Sequence, residues 1–109
     1  MTDRDSLAGI GAQVDAALGR RRDDAVAPAI DEPALAAWLA AYDFASPRPV
    51  DQVAADLLDM LRHQAVRSDH PRYFGLFNPP ALLPAIAGDL VASAINPQLA
   101  VWGHAPAAA

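Results

Sequence analysis

The chain contains no lysine: all eight of its basic residues are arginine, so no side chain offers a primary amine. It also contains no cysteine, which excludes disulfides and thiolate metal sites and suits a reducing compartment. Its three histidines, His63, His70 and His104, do not fall at His-x-x-x-His spacing and have no thiol partners, so a zinc site made by this chain alone is not expected. None of the four serines sits in a Gly-x-Ser-x-Gly elbow, and there is no Gly-x-x-x-x-Gly-Lys phosphate loop. Hydrolase and P-loop chemistry are therefore not expected. The opening Met1-Thr2-Asp3-Arg4-Asp5 lacks the basic-then-apolar order of a secretory signal, and Asp89 and prolines interrupt the longest apolar stretch. The expectation is a cytoplasmic protein without a membrane span. The formal net charge of -5 also disfavours nucleic-acid phosphates. Arg20-Arg21-Arg22 is read instead as a solvated helix end whose charge complements the carboxyl-terminal dipole.

What is abundant is alanine. Of 58 hydrophobic residues 26 are Ala, which remove little apolar surface from water, so an independent core would be thin. Leu, Ile, Val and Phe still total 26, too many for a disordered chain. At 109 residues the chain matches one domain or part of a larger one.

Periodicity predicts a mainly α chain of three to four amphipathic helices. Leu7, Ile10, Val14 and Leu18 form one stripe of a helix from about Arg4 to Arg22. A charged connector from Asp23 to Ile30 leads to Asp31, a capping residue, and to Pro33 in the first turn of a second helix with Leu35, Trp38, Leu39 and Tyr42 on its apolar face. Ser46-Pro47-Arg48-Pro49 breaks the pattern. A third helix is expected from about Asp51 to Val66, with Val53, Leu57 and Leu61 inward and Asp56, Asp59 and Arg62 toward solvent. Asp56 and Asp59 read as surface charge, not as a catalytic pair. A fourth, from about Leu82 to Ile95, is apolar around most of its circumference and calls for cover on several sides, more than three amphipathic helices supply. The closing Val101 to Ala109 reads as a turn and the start of a further helix, an expectation of truncation.

Between these helices lies His70-Pro71-Arg72-Tyr73-Phe74-Gly75-Leu76-Phe77-Asn78, followed by Pro84-Ala85-Ile86-Ala87-Gly88-Asp89, Asn96-Pro97-Gln98-Leu99, Trp102 and Ala105-Pro106-Ala107. These elements, in this order, resemble the amino-terminal region of the group II pyridoxal-phosphate decarboxylases, the family of aromatic amino-acid, glutamate and cysteine-sulfinate decarboxylases. The likeness covers residues 69 to 109; upstream, only the number, pattern and position of the helices are similar. The resemblance implies a helical dimerisation segment over 1-68 and, over 69-109, the start of the decarboxylase domain of a larger aspartate-aminotransferase-like α/β enzyme.

It further implies that Leu76, Phe77, Asn78 and Pro79 line the substrate pocket, that Gln98, Leu99 and Ala100 approach the active site of a second subunit, and that the helices pack across a homodimer. The enzyme it implies is a carboxy-lyase acting on an amino acid with pyridoxal phosphate. Glutamate-specific relatives have a polar residue where Leu76 stands and aromatic-specific relatives a tyrosine, so Leu76 points to an uncharged or aromatic substrate. The lysine that holds the cofactor, the histidine that stacks on it and the acid facing its ring nitrogen would lie downstream, so no catalytic or cofactor-binding residue is assigned within the chain. Taken as residues alone, Tyr73, Phe74 and Phe77 also suit a hydrophobic core, and Asn78 a turn before Pro79. A small helical interaction module without catalysis is the alternative from another class.

Overall fold

The computed structural model describes residues 6–76 and 79–96 and is helical throughout its regular parts, with no strand among the described residues. The four helices are α1 (Leu7–Arg20), α2 (Glu32–Ala40), α3 (Val50–Gln64) and α4 (Leu83–Ile95). The chain divides between Asn78 and Pro79 into two compact units, the first holding α1 to α3 and the second α4.

Local chemistry explains where the helices start and stop. Ser6 caps α1, its Oγ accepting the Gly9 amide at 3.2 Å, so the helix begins three residues later than periodicity suggests. Asp31 caps α2 as expected, its carboxylate accepting the Ala34 amide at 2.9 Å, with Pro33 in the first turn. At the other end of α3, Ala65 is already extended and the helix stops short of Val66. Asn96 ends α4 in the left-handed region, at φ 44°, where its amide still donates to the Ala92 carbonyl at 2.8 Å. Asn tolerates that conformation better than most residues with a Cβ, and the following Pro97 could not continue the helix.

In the first unit α1 packs along α3. Ile10, Val14 and Leu18 of the expected stripe are half-buried, whereas Leu7 at the helix start is 63 % exposed. The Gln13 amide also donates across the contact to the Asp51 carbonyl at 3.2 Å. The facing of α3 differs from the expectation. Val53 is half-buried, but Leu57 and Leu61 remain 46 % and 43 % exposed while Ala54, Leu58 and Met60 take inward positions. The reason is that α3 has neighbours on two flanks: α1 beside Leu58, and α2 beside Met60 and Gln64. A broad arc is half-covered instead of one stripe.

Asp56 is corrected likewise. Expected to face solvent, it is half-buried and accepts the Tyr42 hydroxyl at 3.3 Å and Arg48 Nη2 at 2.8 Å. Arg48 lies 4.9 Å from the centre of the Tyr42 ring, whose centre is in turn 4.6 Å from that of Trp38 with the two rings tilted by 50°. Arg48, within the Ser46-Pro47-Arg48-Pro49 break, therefore ties Tyr42, just past the end of α2, to Asp56 of α3.

No hydrophobic side chain is fully buried among the described residues; the buried side chain is His70. Among the described residues of the second unit only Ile86 is half-covered, and Leu83, Leu90, Val91 and Ile95 are 52 % to 75 % exposed, so those residues do not supply the cover that the composition of α4 calls for. Among the described residues no helix is long and apolar enough to cross a membrane.

Candidate functional site: the loop after the third helix

The loop from Val66 to Leu76 carries His70-Pro71-Arg72-Tyr73-Phe74-Gly75-Leu76, and its course is set by charge. Asp24, in the connector after α1, has a side chain only 4 % exposed. It accepts Arg62 Nε at 2.8 Å on one oxygen and Arg67 Nη1 at 2.9 Å on the other. Arg67, itself 14 % exposed, uses its remaining face on Asp69, donating from Nε and Nη2 at 2.9 Å each. Two arginines and two aspartates thus balance to zero net charge, which is the condition for burying such groups cheaply. The two side-chain bonds to Asp69 hold the Arg67 guanidinium firmly protonated, above its already high ordinary value, against the opposing effect of burial. The same bonds hold the Asp69 carboxyl below its ordinary value.

Backbone and side-chain bonds then carry the order onward. The Arg67 amide donates to the Val26 carbonyl at 2.8 Å, and the His70 amide to the Arg67 carbonyl at 3.1 Å. His70 Nδ1 accepts the Arg72 amide at 2.9 Å, so that nitrogen carries a lone pair and the ring proton sits on Nε2. The Tyr73 amide donates to the His70 carbonyl at 2.9 Å, and the Tyr73 hydroxyl accepts the Leu76 amide at 3.2 Å. The Tyr73 ring lies where a Cβ on residue 75 would be, so a larger residue than Gly75 would push that ring aside.

Of the pocket residues expected from sequence, Leu76 is presented outward, 85 % exposed, at the end of this loop in the first unit. Pro79 is exposed at the start of the second unit. Phe77 and Asn78 lie outside the described residues, as do Gln98, Leu99 and Ala100. Phe74 is 92 % exposed, which corrects its reading as a core aromatic of this unit, whereas Tyr73 is half-buried and acts through its hydroxyl. Sequence reasoning missed Asp24, Arg62 and Arg67. The 38 and 43 positions that separate Asp24 from its partners leave no local pattern, and only the Arg67-Ser68-Asp69 spacing is a near-neighbour signal.

Beside this loop a groove of about 210 Å³ between α1 and α3 is lined by Val14, Leu18 and Leu61 with Arg62, Arg67 and Asp69. Pockets for drug-sized ligands run from about 300 Å³ upward, so this one is small for a cofactor. The residues present also do not fit pyridoxal phosphate. No lysine can hold the aldehyde, and the arginines that could face a phosphate here are already committed to Asp24 and Asp69. Among the described residues there is no cluster of three potential metal ligands. Comparison with known protein families, curated proteins and solved structures found no match to this chain.

Proposed function

We propose that the chain is the amino-terminal part of a pyridoxal-phosphate-dependent amino-acid decarboxylase, a carboxy-lyase that releases carbon dioxide from an amino acid. The observation that carries this reading is the ordered run of motif elements from His70 to Ala107, too many and too regularly placed to be read singly. The chain contributes helices and a pocket loop, with Leu76, Phe77, Asn78 and Pro79 toward the substrate and Gln98, Leu99 and Ala100 toward a second subunit. It contributes neither catalytic group nor cofactor anchor, since a Schiff base needs a primary amine that its side chains lack. Pyridoxal phosphate, when bound elsewhere in the enzyme, supplies the electron sink for loss of carbon dioxide.

Support also comes from surface chemistry. Among the described residues fifteen large hydrophobics are 43 % to 92 % exposed and none is buried. Exposed apolar side chains in each unit favour cover by more polypeptide, either the rest of the enzyme or a homodimeric partner. The apolar character of Leu76, at a position proposed to face the substrate, favours an uncharged or aromatic amino acid.

The test is to express the complete product of the reading frame, reduce it with borohydride in the presence of pyridoxal phosphate and map the adduct. The expected result is a pyridoxyl-lysine outside residues 1 to 109, with decarboxylation of aromatic or uncharged amino acids in preference to glutamate. A frame that ends at Ala109, or one with no such lysine, leaves the small helical interaction module as the better reading.

A further inference from the structure

The hydrogen bonds around Arg67 form one continuous path from the helical unit to the proposed substrate loop. The guanidinium is held by Asp24 from the connector and by Asp69 from the loop, through three bonds of 2.9 Å. Its own amide is fixed to Val26, and its carbonyl receives His70. From His70 the path continues through Tyr73 to the Leu76 amide. Every link is a directional bond, and the anchoring end is shielded from water, with the Asp24 side chain 4 % and the Arg67 side chain 14 % exposed. Only a planar guanidinium can bridge two carboxylates in this way: Lys would place one ammonium point charge between them.

The geometry points to Arg67 as a positioning residue that sets the register in which residues 69–76 leave α3 and, through Tyr73, the place at which Leu76 is presented. That Leu76 meets a substrate rests on the decarboxylase reading; that Arg67 positions it does not. Arg67 itself touches no reacting group. Gly75 is the second requirement of the same device, because a Cβ there would displace the Tyr73 ring and with it the bond to Leu76.

The test is hydrogen exchange of the full 109-residue chain, read by mass spectrometry on dilute protein, comparing the segment 67–76 with α3. The expected result for Arg67→Lys is a fall of about tenfold in the protection of 67–76 relative to that of α3, since charge-assisted bonds in its anchor are lost. Gly75→Ala, remote from the α1–α3 contact, should raise exchange at Leu76 while leaving both α3 and the Arg67 end of the loop unchanged. A role in general stability alone would lower protection of both segments together and leave their ratio unchanged in Arg67→Lys; that result overturns the proposal. So does a parent chain in which 67–76 exchanges as freely as an unstructured peptide. None of these readouts involves a substrate. The anchor can therefore fail while the decarboxylase reading stands, and an enzyme without decarboxylase activity would leave the exchange ratios as they are.

Discussion

Replacing Asp24 by alanine should unfold the first unit more effectively than any single hydrophobic truncation. Its carboxylate is 4 % exposed and accepts from both Arg62 and Arg67, so the substitution leaves two cations facing a space that held their counter-charge. Removing one member of a buried pair costs about 3 to 5 kcal/mol. Two features reduce that figure here: Arg67 keeps its two bonds to Asp69, and Arg62, 41 % exposed, can turn to water. A loss of about 2 to 3 kcal/mol is the result. Against this, natural domains hold about 0.05 to 0.15 kcal/mol per residue, and a unit with no buried hydrophobic side chain among its described residues belongs at the low end. For the described span 6–76 that is about 4 kcal/mol, so the variant retains only a small margin. By contrast Leu57 or Leu61, each more than 40 % exposed, should cost about 1 kcal/mol or less on truncation. Urea unfolding followed by helical circular dichroism measures both, with equal slopes required for the comparison. If Asp24→Ala shifts the midpoint no more than Leu57→Ala does, the charge network is not what holds this unit together.

Other consequences follow from the same geometry. Asp31→Ala removes the cap of α2 and should cost about 1 kcal/mol, visible as a lower urea midpoint; an unchanged midpoint would mean that α2 does not depend on its cap. Because Arg67 holds the Asp69 carboxyl below its ordinary value, Asp69 contributes stability that is complete above the ordinary carboxylate range and is lost as pH falls through its folded value. Unfolding midpoints between about pH 5 and pH 3 should therefore drop less steeply in Asp69→Asn than in the parent chain. Asp43 is also held low, by the Ser46 hydroxyl and the Ala45 amide, so a residual acid slope in that variant is expected. Borohydride reduction of the 109-residue chain with pyridoxal phosphate should label the terminal amine alone; an adduct on any side chain would contradict the amine inventory.

What sequence made legible was whatever depends on near neighbours. Asp31 with Pro33, the Ile10-Val14-Leu18 stripe and the end of α4 before Asn96-Pro97 are all encoded within a turn or two of helix, and each is found where periodicity and capping put it. The facing of α3 was not legible, because its flanks are set by two other helices and no single stripe records both. Nor was Asp56, whose partners Tyr42 and Arg48 reach it only once the proline break has folded back. The charge network was the largest omission: its pairing across about forty positions is decided by tertiary closure. At the candidate site, the motif singled out the loop and Leu76, while the side chains that fix that loop lie mostly outside the motif.

The role proposed for this chain is to supply scaffold and pocket loop to an enzyme whose cofactor is anchored elsewhere. Its most direct test is a side-by-side measurement of carbon dioxide released from carboxyl-labelled amino acids by the 109 residues alone and by the complete gene product, each with pyridoxal phosphate. The account predicts release by the complete product and none above free cofactor from the 109 residues. Release by the isolated chain, or a complete product inert toward every amino acid offered, would contradict it.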